Sequence, residues 1–553
     1  MNRIKHFVVI FLVLVLNASV LGQNLENIDD KKAVDLSGSL SIGVGYYDTD
    51  LGYNRQDPFA YRISGNPVLS LYGVRIPFRF TYANQQFNSS HPFQNYGISP
   101  SYKWIKLHLG YSSMSFSPYT LDQHTFLGAG VELTPGNFRF GFMYGRLQNK
   151  INTGAFQNLE VPSFKRNAYG FKIGYGTHSN YVDLIFFKAK DDTASASSKQ
   201  IQLLPKENLV VGIQSRQKIT KWFTWEIDVS SSAFTRSLFS RALGTNDIPV
   251  PDGLSNIYQP RLSSRMNYAG HTSASFNFGK FKIKGKYRRI DPEYRSLGTY
   301  FLNNDLEQYT INPAVTLLNG RLNISGSYGI QQDNIRDTKA YTTQRQIGSV
   351  NMNLNTKGAF GINAQYSNYT IDQQQALLQL NDTTKIARVS SNYSLAPRLL
   401  YRKGQATHQI TMFVSGQILN DANRFTSDIT ETQSYNGNVS YSYRSQKTNI
   451  NYNVGINSVL LQTFSGDIFR YGLTGGVGKS FLQKSLSANL RGVYNRQQFE
   501  GESAGYVLTG ALSFQYKLHQ NHRLSANIRL TKNDTDNQSF SENIASLEYI
   551  FRL

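Results

Sequence analysis

The feature that most constrains this chain is a strict alternation of apolar and polar residues in long runs near its C-terminus. The runs cover residues 486–494, 506–518, 524–531 and 545–553, and in each run every residue of one parity is apolar or glycine. Side chains alternate across a β-strand, so each run predicts a strand with one apolar face and one polar face. Runs of about 9 to 13 residues fit a tilted membrane strand better than the ~5 to 6 residues of a globular strand.

The connections between the predicted strands alternate in length. Short turns are predicted at 135–136, 177–180, 220–221, 279–280, 319–320, 356–358, 403–404, 445–447, 482–484 and 519–522, and longer polar loops at 148–167, 190–207, 234–266, 291–307, 332–344, 372–385, 420–431 and 532–542. Short turns on one rim and long loops on the other are typical of an outer-membrane barrel, with the short turns in the periplasm. The predicted fold is all-β, a transmembrane antiparallel up-and-down β-barrel of about 22 to 26 strands.

Composition excludes several other classes of protein. The chain contains 35 Tyr and 34 Phe, more aromatic surface than a disordered chain carries. It contains no cysteine, which excludes disulfide scaffolds, thiolate metal sites, thiol nucleophiles and a lipoprotein anchor. No Ser/His/Asp grouping stands out, and the close pair His519 and His522 has no third ligand beside it in the sequence. We therefore expect no enzymatic activity, no metal and no cofactor.

The N-terminus predicts export. Arg3 and Lys5 precede an apolar run at 7–16, and Val20 and Gly22 fit the positions before a signal peptidase site. We expect a signal peptide at 1–22, a short periplasmic segment at 23–33 and a single barrel domain at 34–553. The formal charge is +21, and only two of the basic residues would leave with the signal peptide. The basic balance favours anionic lipid head groups or anionic solutes as partners, and export argues against nucleic acid.

The C-terminal strand carries a resemblance to a known class. The alternating strands, the signal peptide and the final apolar residues Tyr549, Phe551 and Leu553 resemble Gram-negative outer-membrane β-barrels. The resemblance implies an outer-membrane location and a terminal strand that the barrel-assembly machinery reads as a signal. In that class the last residue is usually aromatic, and here it is Leu553. The stretch 104–146 is similar to one in large barrels of bacteria that use type IX secretion, which implies no activity.

Charged residues fall on the parity opposite to the apolar one in three predicted strands. This parity predicts a lumen charge ladder formed by Lys282, Lys284, Lys286 and Arg288, with Glu226 and Asp228 on one preceding strand and Arg216 and Lys218 on another. Opposed acidic and basic rows across a water-filled lumen would select or orient solutes. The alternative is that these charges only solvate a wide interior. Trp104 and Trp222 stand beside short turns, where an aromatic girdle at the membrane boundary is expected.

Two classes of function remain open on this evidence. The first is a transport pore for solutes or a larger cargo, and the second is a non-conducting component of a secretion or surface-assembly complex with an outer-membrane or periplasmic protein partner. A lumen of about 26 strands needs an obstruction, since 22-stranded barrels already carry a plug. We expect the longest apolar loop, 234–266, to fold inward; its apolar residues are Phe234, Leu238, Phe239, Leu243, Ile248, Val250 and Leu254.

Overall fold

The computed structural model describes residues 34–53, 55–72, 74–84, 96–151, 162–195, 203–244, 257–356, 358–376, 385–536 and 538–553. The predicted signal peptide and the segment 23–33 lie outside the described residues. Within the described residues, no helix is both long and apolar enough to cross a bilayer.

The chain forms one closed antiparallel sheet of 26 barrel strands, three of which are interrupted. The strands are β1 (Val34–Ser37 and Ser39–Thr49), β2 (Phe59–Gly65 and Val68–Leu71), β3 (Val74–Ala83), β4 (Gly97–Ile98 and Ser101–Tyr102), β5 (Ile105–Ser113), β6 (Thr125–Leu133), β7 (Phe138–Gln148), β8 (Arg166–Gly176), β9 (Tyr181–Asp191), β10 (Glu207–Lys218), β11 (Phe223–Thr235), β12 (Ser264–Asn277), β13 (Phe281–Ile290), β14 (Leu306–Leu317), β15 (Leu322–Gln332), β16 (Tyr341–Thr356), β17 (Phe360–Gln375), β18 (Ala387–Lys403), β19 (Ala406–Asp421), β20 (Thr432–Ser445), β21 (Ile450–Thr463), β22 (Gly466–Phe481), β23 (Leu486–Phe499), β24 (Glu502–His519), β25 (His522–Thr535) and β26 (Gln538–Arg552). A short helix, α1 (Ser427–Thr430), lies between β19 and β20.

Each strand pairs with its neighbours in the chain, and β26 closes the barrel against β1. In this closing pair Leu40 lies opposite Phe551 and Val44 lies opposite Leu547. Closure leaves no free sheet edge, so all the strands can satisfy their backbone groups within the sheet. The all-β barrel predicted from the sequence is confirmed, at the upper end of the predicted strand number.

The outer surface of the barrel is apolar. Large apolar side chains of one parity point away from the lumen and are exposed, for example Leu473, Leu530 and Leu547 at 60%, 54% and 44%. Cross-strand register continues the same parity from strand to strand, as in the row Ile456, Leu473 and Tyr494. A continuous apolar outer surface on a closed barrel is the surface that faces lipid.

The two rims differ over most of the barrel. Each short turn predicted from the sequence joins two strands, and the other rim carries the longer connections as far as residue 431. Beyond β20 the connections of that rim become tight. The predicted loop 532–542 is mostly strand, because β25 continues to Thr535 and β26 begins at Gln538.

Prolines lie at four interruptions of the hydrogen-bond ladder. Pro67 and Pro100 lie at the breaks inside β2 and β4. Pro313 lies inside β14 and Pro397 inside β18, and beside each of them the ladder to the following strand is broken while the register on both sides of the gap is unchanged. Proline has no N–H to donate, so the sheet loses local pairing without a shift in register.

Candidate functional site

The inner face of the barrel is divided into a covered half and an open half. In β5 to β14 many inward-facing side chains are fully buried, including Phe126, Met143, Phe187, Val210 and Ile290. In β15 to β26 the inward-facing side chains are mostly small and polar, and few are buried. A side chain on the inner face of a wide barrel is buried only if something packs on it, so the covered half must carry additional chain.

Among the described residues, that additional chain includes two connections, 114–124 between β5 and β6 and 291–305 between β13 and β14, together called the inner lobe. The inner lobe packs on inward-facing residues well below the rim, since Asp228, which Ser117 contacts, lies seven residues from the end of β11 at Thr235. At about 3.3 Å per residue, this corresponds to roughly 23 Å along the strand.

Glycines on the inner face provide the space for Phe116. A Cβ atom at Gly141 would lie 3.0 Å from the Phe116 ring, and one at Gly170 would lie 3.2 Å from it. Met114 occupies the corresponding space over Gly130, where an added Cβ would lie 2.5 Å from its sulfur. The absence of side chains at these three positions lets the inner lobe approach the backbone of β6, β7 and β8.

Two hydrophobic clusters hold the inner lobe against the wall. The first contains Met114, Phe116, Leu121, Phe126, Met143, Leu147, Ala168, Ile185, Phe187, Ala189 and Val210, with Leu297 packed against it. The second contains Tyr119, Ala269, Ile290, Tyr294 and Leu306, with Leu302 packed against it. Burial of apolar surface at this scale is the main stabilising contribution to docking, at about 1.5–3 kcal/mol for each fully buried large side chain.

The two halves of the inner lobe also bind each other through hydrogen bonds. The Tyr294 hydroxyl donates to the Tyr119 carbonyl oxygen at 2.7 Å, and the Asp122 amide donates to the Gly298 carbonyl oxygen at 3.1 Å. Burial raises the pKa of both Tyr119 and Tyr294, so both phenols stay neutral and keep their protons for donation.

Polar groups fix the position of the inner lobe on the wall. The Ser117 hydroxyl donates to Asp228, 2.8 and 2.9 Å from its two carboxylate oxygens, and the Tyr119 hydroxyl lies 3.0 Å from Nδ1 of His271. Asn208 on β10 binds the 291–305 segment, because its Oδ1 accepts from the Leu297 amide at 3.0 Å. These contacts require one register between lobe and wall.

The residues of the predicted charge ladder lie together on one wall. Glu226 on β11 is 3.3 Å from Arg216 on β10 and 3.1 Å from Lys284 on β13, and it accepts a hydrogen bond from Ser273 at 3.0 Å. Because β10 to β13 are consecutive strands, the acidic and basic rows meet side by side and do not face one another across the lumen.

The remaining ladder residues divide into two groups. Lys282 and Lys218 are exposed near the short-turn rim, while Lys286 and Arg288 are half-buried beside the inner lobe; none of the four has an ion pair among the described residues. Asp228, only 1% exposed, holds the inner lobe through Ser117. The role of the ladder in permeation stays a prediction.

The predicted girdle and terminal residues occupy the surface. Trp104 and Trp222 lie in turns of the short-turn rim and are 44% and 46% exposed, and the Trp222 ring stacks 5.8 Å from Phe278. Tyr549 and Phe551 belong to the outward parity of β26, and the Leu553 amide donates to the Gly38 carbonyl oxygen at 3.1 Å. Their roles as girdle and assembly signal stay predictions.

The loop 234–266 is described only at its two ends. Phe234, Leu238 and Tyr258 are buried, and the Tyr258 hydroxyl lies 2.6 Å from that of Thr235. Phe239 is 57% exposed. Ile248, Val250 and Leu254 lie outside the described residues. The apolar content of the sequence favours this loop as the obstruction and does not indicate the inner lobe. Apolar residues on both parities of β9 and β10 are the signal that these strands are covered on both faces.

Side-chain amides line part of the open half of the inner face. Gly472, Gly476 and Gly478 face the lumen on β22, and the asparagines of the flanking strands lean over them. A Cβ at Gly472 would lie 2.1 Å from Oδ1 of Asn495, which accepts a hydrogen bond from Asn457 at 2.8 Å across the strand. The glycines thus allow carboxamides from β21 and β23 to lie over the backbone of β22 and form a polar lining beside Arg491.

The closed antiparallel sheet with its apolar outer surface defines the class: the chain is an outer-membrane β-barrel protein. No known protein family and no curated protein matches its sequence.

Several solved barrels are similar to it in structure. The P pilus usher (PapC) translocation pore aligns over 94% of this chain and 99% of its own, at 10% identity and a TM-score of 0.40. OccAB2 of Acinetobacter baumannii aligns over 67% and 97%, at 11% identity and a TM-score of 0.30. A BenF-like porin from Pseudomonas fluorescens Pf-5 aligns over 68% and 98%, at 12% identity and a TM-score of 0.31.

Proposed function

We propose that this protein is a transport pore for polar solutes, with a passage along the open inner face of β15 to β26. The observation that carries the proposal is the division of the inner face into a covered apolar half and an open polar half. A barrel that served only as a scaffold would have no need of one polar wall left uncovered. The inner lobe then acts as the obstruction that a barrel of this size requires.

The size of the barrel supports an obstructed pore. At about 4.8 Å between strands and a tilt near 40°, a circular barrel of this strand number has a diameter of about 50 Å. Barrels of 16 to 18 strands already leave an aqueous channel. An unobstructed lumen here would admit large molecules, so narrowing by the inner lobe preserves the barrier function of the membrane.

The charges of the lumen favour anions. Arg491 and Arg529 face the lumen on the open half, exposed and without an ion pair among the described residues. Lys218 and Lys282 add positive charge to the covered half near the short-turn rim. Fixed charges set the local concentration of mobile ions within roughly a Debye length of ~8 Å at physiological salt.

Planar-bilayer recording of the purified barrel tests this function. We expect steady conductance with anion preference, and we expect replacement of Lys282, Lys284 and Lys286 by glutamate to move the reversal potential toward cations. The matched control replaces the same three lysines by arginine, which keeps the charge and should keep the selectivity.

A second variant tests the obstruction. Replacing residues 115–122 by a glycine-serine linker of the same length should raise the conductance, because the linker cannot fill the apolar clusters. Absence of conductance in both the parent and this variant would contradict a pore and favour a scaffold, and a stoichiometric protein partner purified from native membranes would then support the scaffold.

A further inference from the structure

A cavity of about 400 Å³ lies at the long-loop rim, between the inner lobe and the ends of β8, β9 and β10. Phe164, Leu203 and Leu297 give it an apolar side, and Arg166, Asp191 and Lys206 give it a charged side. The stacked rings of His124 and Tyr300, with centroids 4.0 Å apart, also line it. A cavity of this volume with an apolar lining and a few charged groups is typical of a small-molecule site.

The only carboxylate among the described residues of the lining is already committed. Both oxygens of Asp191 accept from Arg166, with Nε at 2.7 Å and Nη2 at 3.2 Å, and Oδ2 also accepts from the Lys206 backbone amide at 2.9 Å. Asp191 therefore neutralises Arg166, and no hydrogen bond or ion pair joins it to the Lys206 ammonium among the described residues.

The ammonium of Lys206 lacks a direct partner among the described residues. Its ammonium has no hydrogen bond or ion pair within the described part of the chain, and the side chain is half-buried. Burial lowers the pKa of Lys206, repulsion from Arg166 and Arg295 lowers it further, and attraction to Asp191 offsets part of this lowering. Arg295, whose guanidinium carbon lies 5.6 Å from the centroid of the Phe234 ring, is exposed and lies outside the lining. A half-buried ammonium without a direct partner is destabilising unless an anion is supplied.

We propose that this cavity binds a small organic anion, with its acidic group on Lys206 and its apolar body against Phe164, Leu203 and Leu297. The site would collect the solute at the outer mouth before it enters the passage. Small organic anions would then be the substrate class of the proposed pore. The physiological role of the site rests on the proposed function, while binding itself can be measured without conduction.

Binding to the purified barrel in detergent tests the proposal, by calorimetric titration with benzoate. Benzyl alcohol has the same ring without the charge, and inorganic phosphate has charge without the apolar body. We expect benzoate to bind and the other two to bind at least tenfold more weakly. Equal binding of benzyl alcohol, or a preference for phosphate, would overturn the assignment of an organic anion.

Variants locate the site. Lys206→Met keeps the length and apolar stem of the side chain and should weaken benzoate binding at least tenfold. Lys280→Met removes the same charge from a turn at the opposite rim and should leave binding unchanged. Unshifted heat-modifiable migration on gels establishes that both variants fold.

Two results would overturn the site and leave the pore intact: no benzoate binding in a barrel that conducts, or equal affinity in the parent and Lys206→Met. Benzoate binding in a barrel that does not conduct would instead overturn the proposed function and leave the site.

Discussion

Ser117 gives the most direct residue-scale control over the inner lobe. Its hydroxyl is bound to the buried carboxylate of Asp228, so Ser117→Ala removes this bond and leaves the charged acceptor in place. An unsatisfied buried acceptor costs about 1–3 kcal/mol, which corresponds to roughly a 5- to 150-fold larger undocked population. We expect more frequent openings to higher conductance in single-channel records. Ser327→Ala, on the open inner face, is the control; identical records for the two variants would contradict this role.

Glu226 allows a residue-scale test of lumen charge. Glu226→Gln keeps the shape and removes the carboxylate that Arg216 and Lys284 share. Because the three side chains are partly exposed, we expect a stability change of only about 0–1 kcal/mol. The two released cations should move the reversal potential in a salt gradient toward anions.

The control for this charge is Glu502→Gln, which removes an equal charge from an exposed position on the long-loop rim. It should shift the reversal potential less than Glu226→Gln. A shift toward cations, or none, in Glu226→Gln would show that these charges do not govern permeation.

Residue parity could be derived from the sequence, while residue partners could not. Alternation requires only the local geometry of a strand, so it assigns Lys284 and Glu226 to the face opposite the exposed apolar residues. Their contact depends on the register of three strands, which no local pattern encodes. The link between Ser117 and Asp228 spans 111 residues and depends on how a loop folds back.

At the element scale, the inner lobe depends on the missing side chain at Gly141. A leucine there would occupy the position of the Phe116 ring, since the Cβ alone would lie 3.0 Å from it. Overpacking of this kind costs about 1–3 kcal/mol, and here the movable partner is the inner lobe. Gly141→Leu should therefore raise the mean conductance, while the sheet remains a closed barrel.

Gly492→Leu is the control for this substitution. Gly492 lies on the outward face, where an added Cβ has open space around it. We expect parental conductance and heat-modifiable migration from this variant. Parental conductance in Gly141→Leu as well would mean that the Phe116 contact does not hold the obstruction in place.

Elements were predictable wherever the signal was local. Short turns were found because Gly, Asn and Lys pairs between alternating runs indicate reversal. The prediction of a loop at 532–542 was wrong because Asn533, Asp534 and Thr535 continue β25 beyond the apolar band, where the outward-facing residues need not be apolar. The inner lobe was not predicted because a loop that folds into a lumen has the same polar and turn-forming residues as any other loop. Only the runs 184–187 and 209–211, which are apolar on both parities, indicate that additional chain covers these strands.

At the scale of the whole molecule, barrel closure pairs the N-terminal strands, which are interrupted, with the C-terminal strand, which is continuous. The strand β26 is one uninterrupted run, while β1, β2 and β4 are broken at Gly38, at Asn66 and Pro67, and at Pro100. Strand number could be predicted only as a range, because misreading one hairpin in this irregular part changes the count by two. The class could be predicted because apolar alternation over long strands has few other uses than facing lipid.

The orientation of the whole barrel is testable at the two ends of one strand. Asp428 lies exposed in α1 just before β20, and Lys447 lies exposed in the turn just after it. The natural chain has no cysteine, so a single introduced cysteine is the only thiol. If long connections face outward, Asp428→Cys should react with a membrane-impermeant maleimide on whole cells, and Lys447→Cys should react only after the outer membrane is permeabilised. β20 has 14 residues at about 3.4 Å each, which exceeds an apolar band of about 25 Å, so the two thiols lie in different compartments. Labelling of Lys447→Cys alone on whole cells would show that the barrel has the opposite orientation. The proposed anion site would then lie on the periplasmic side.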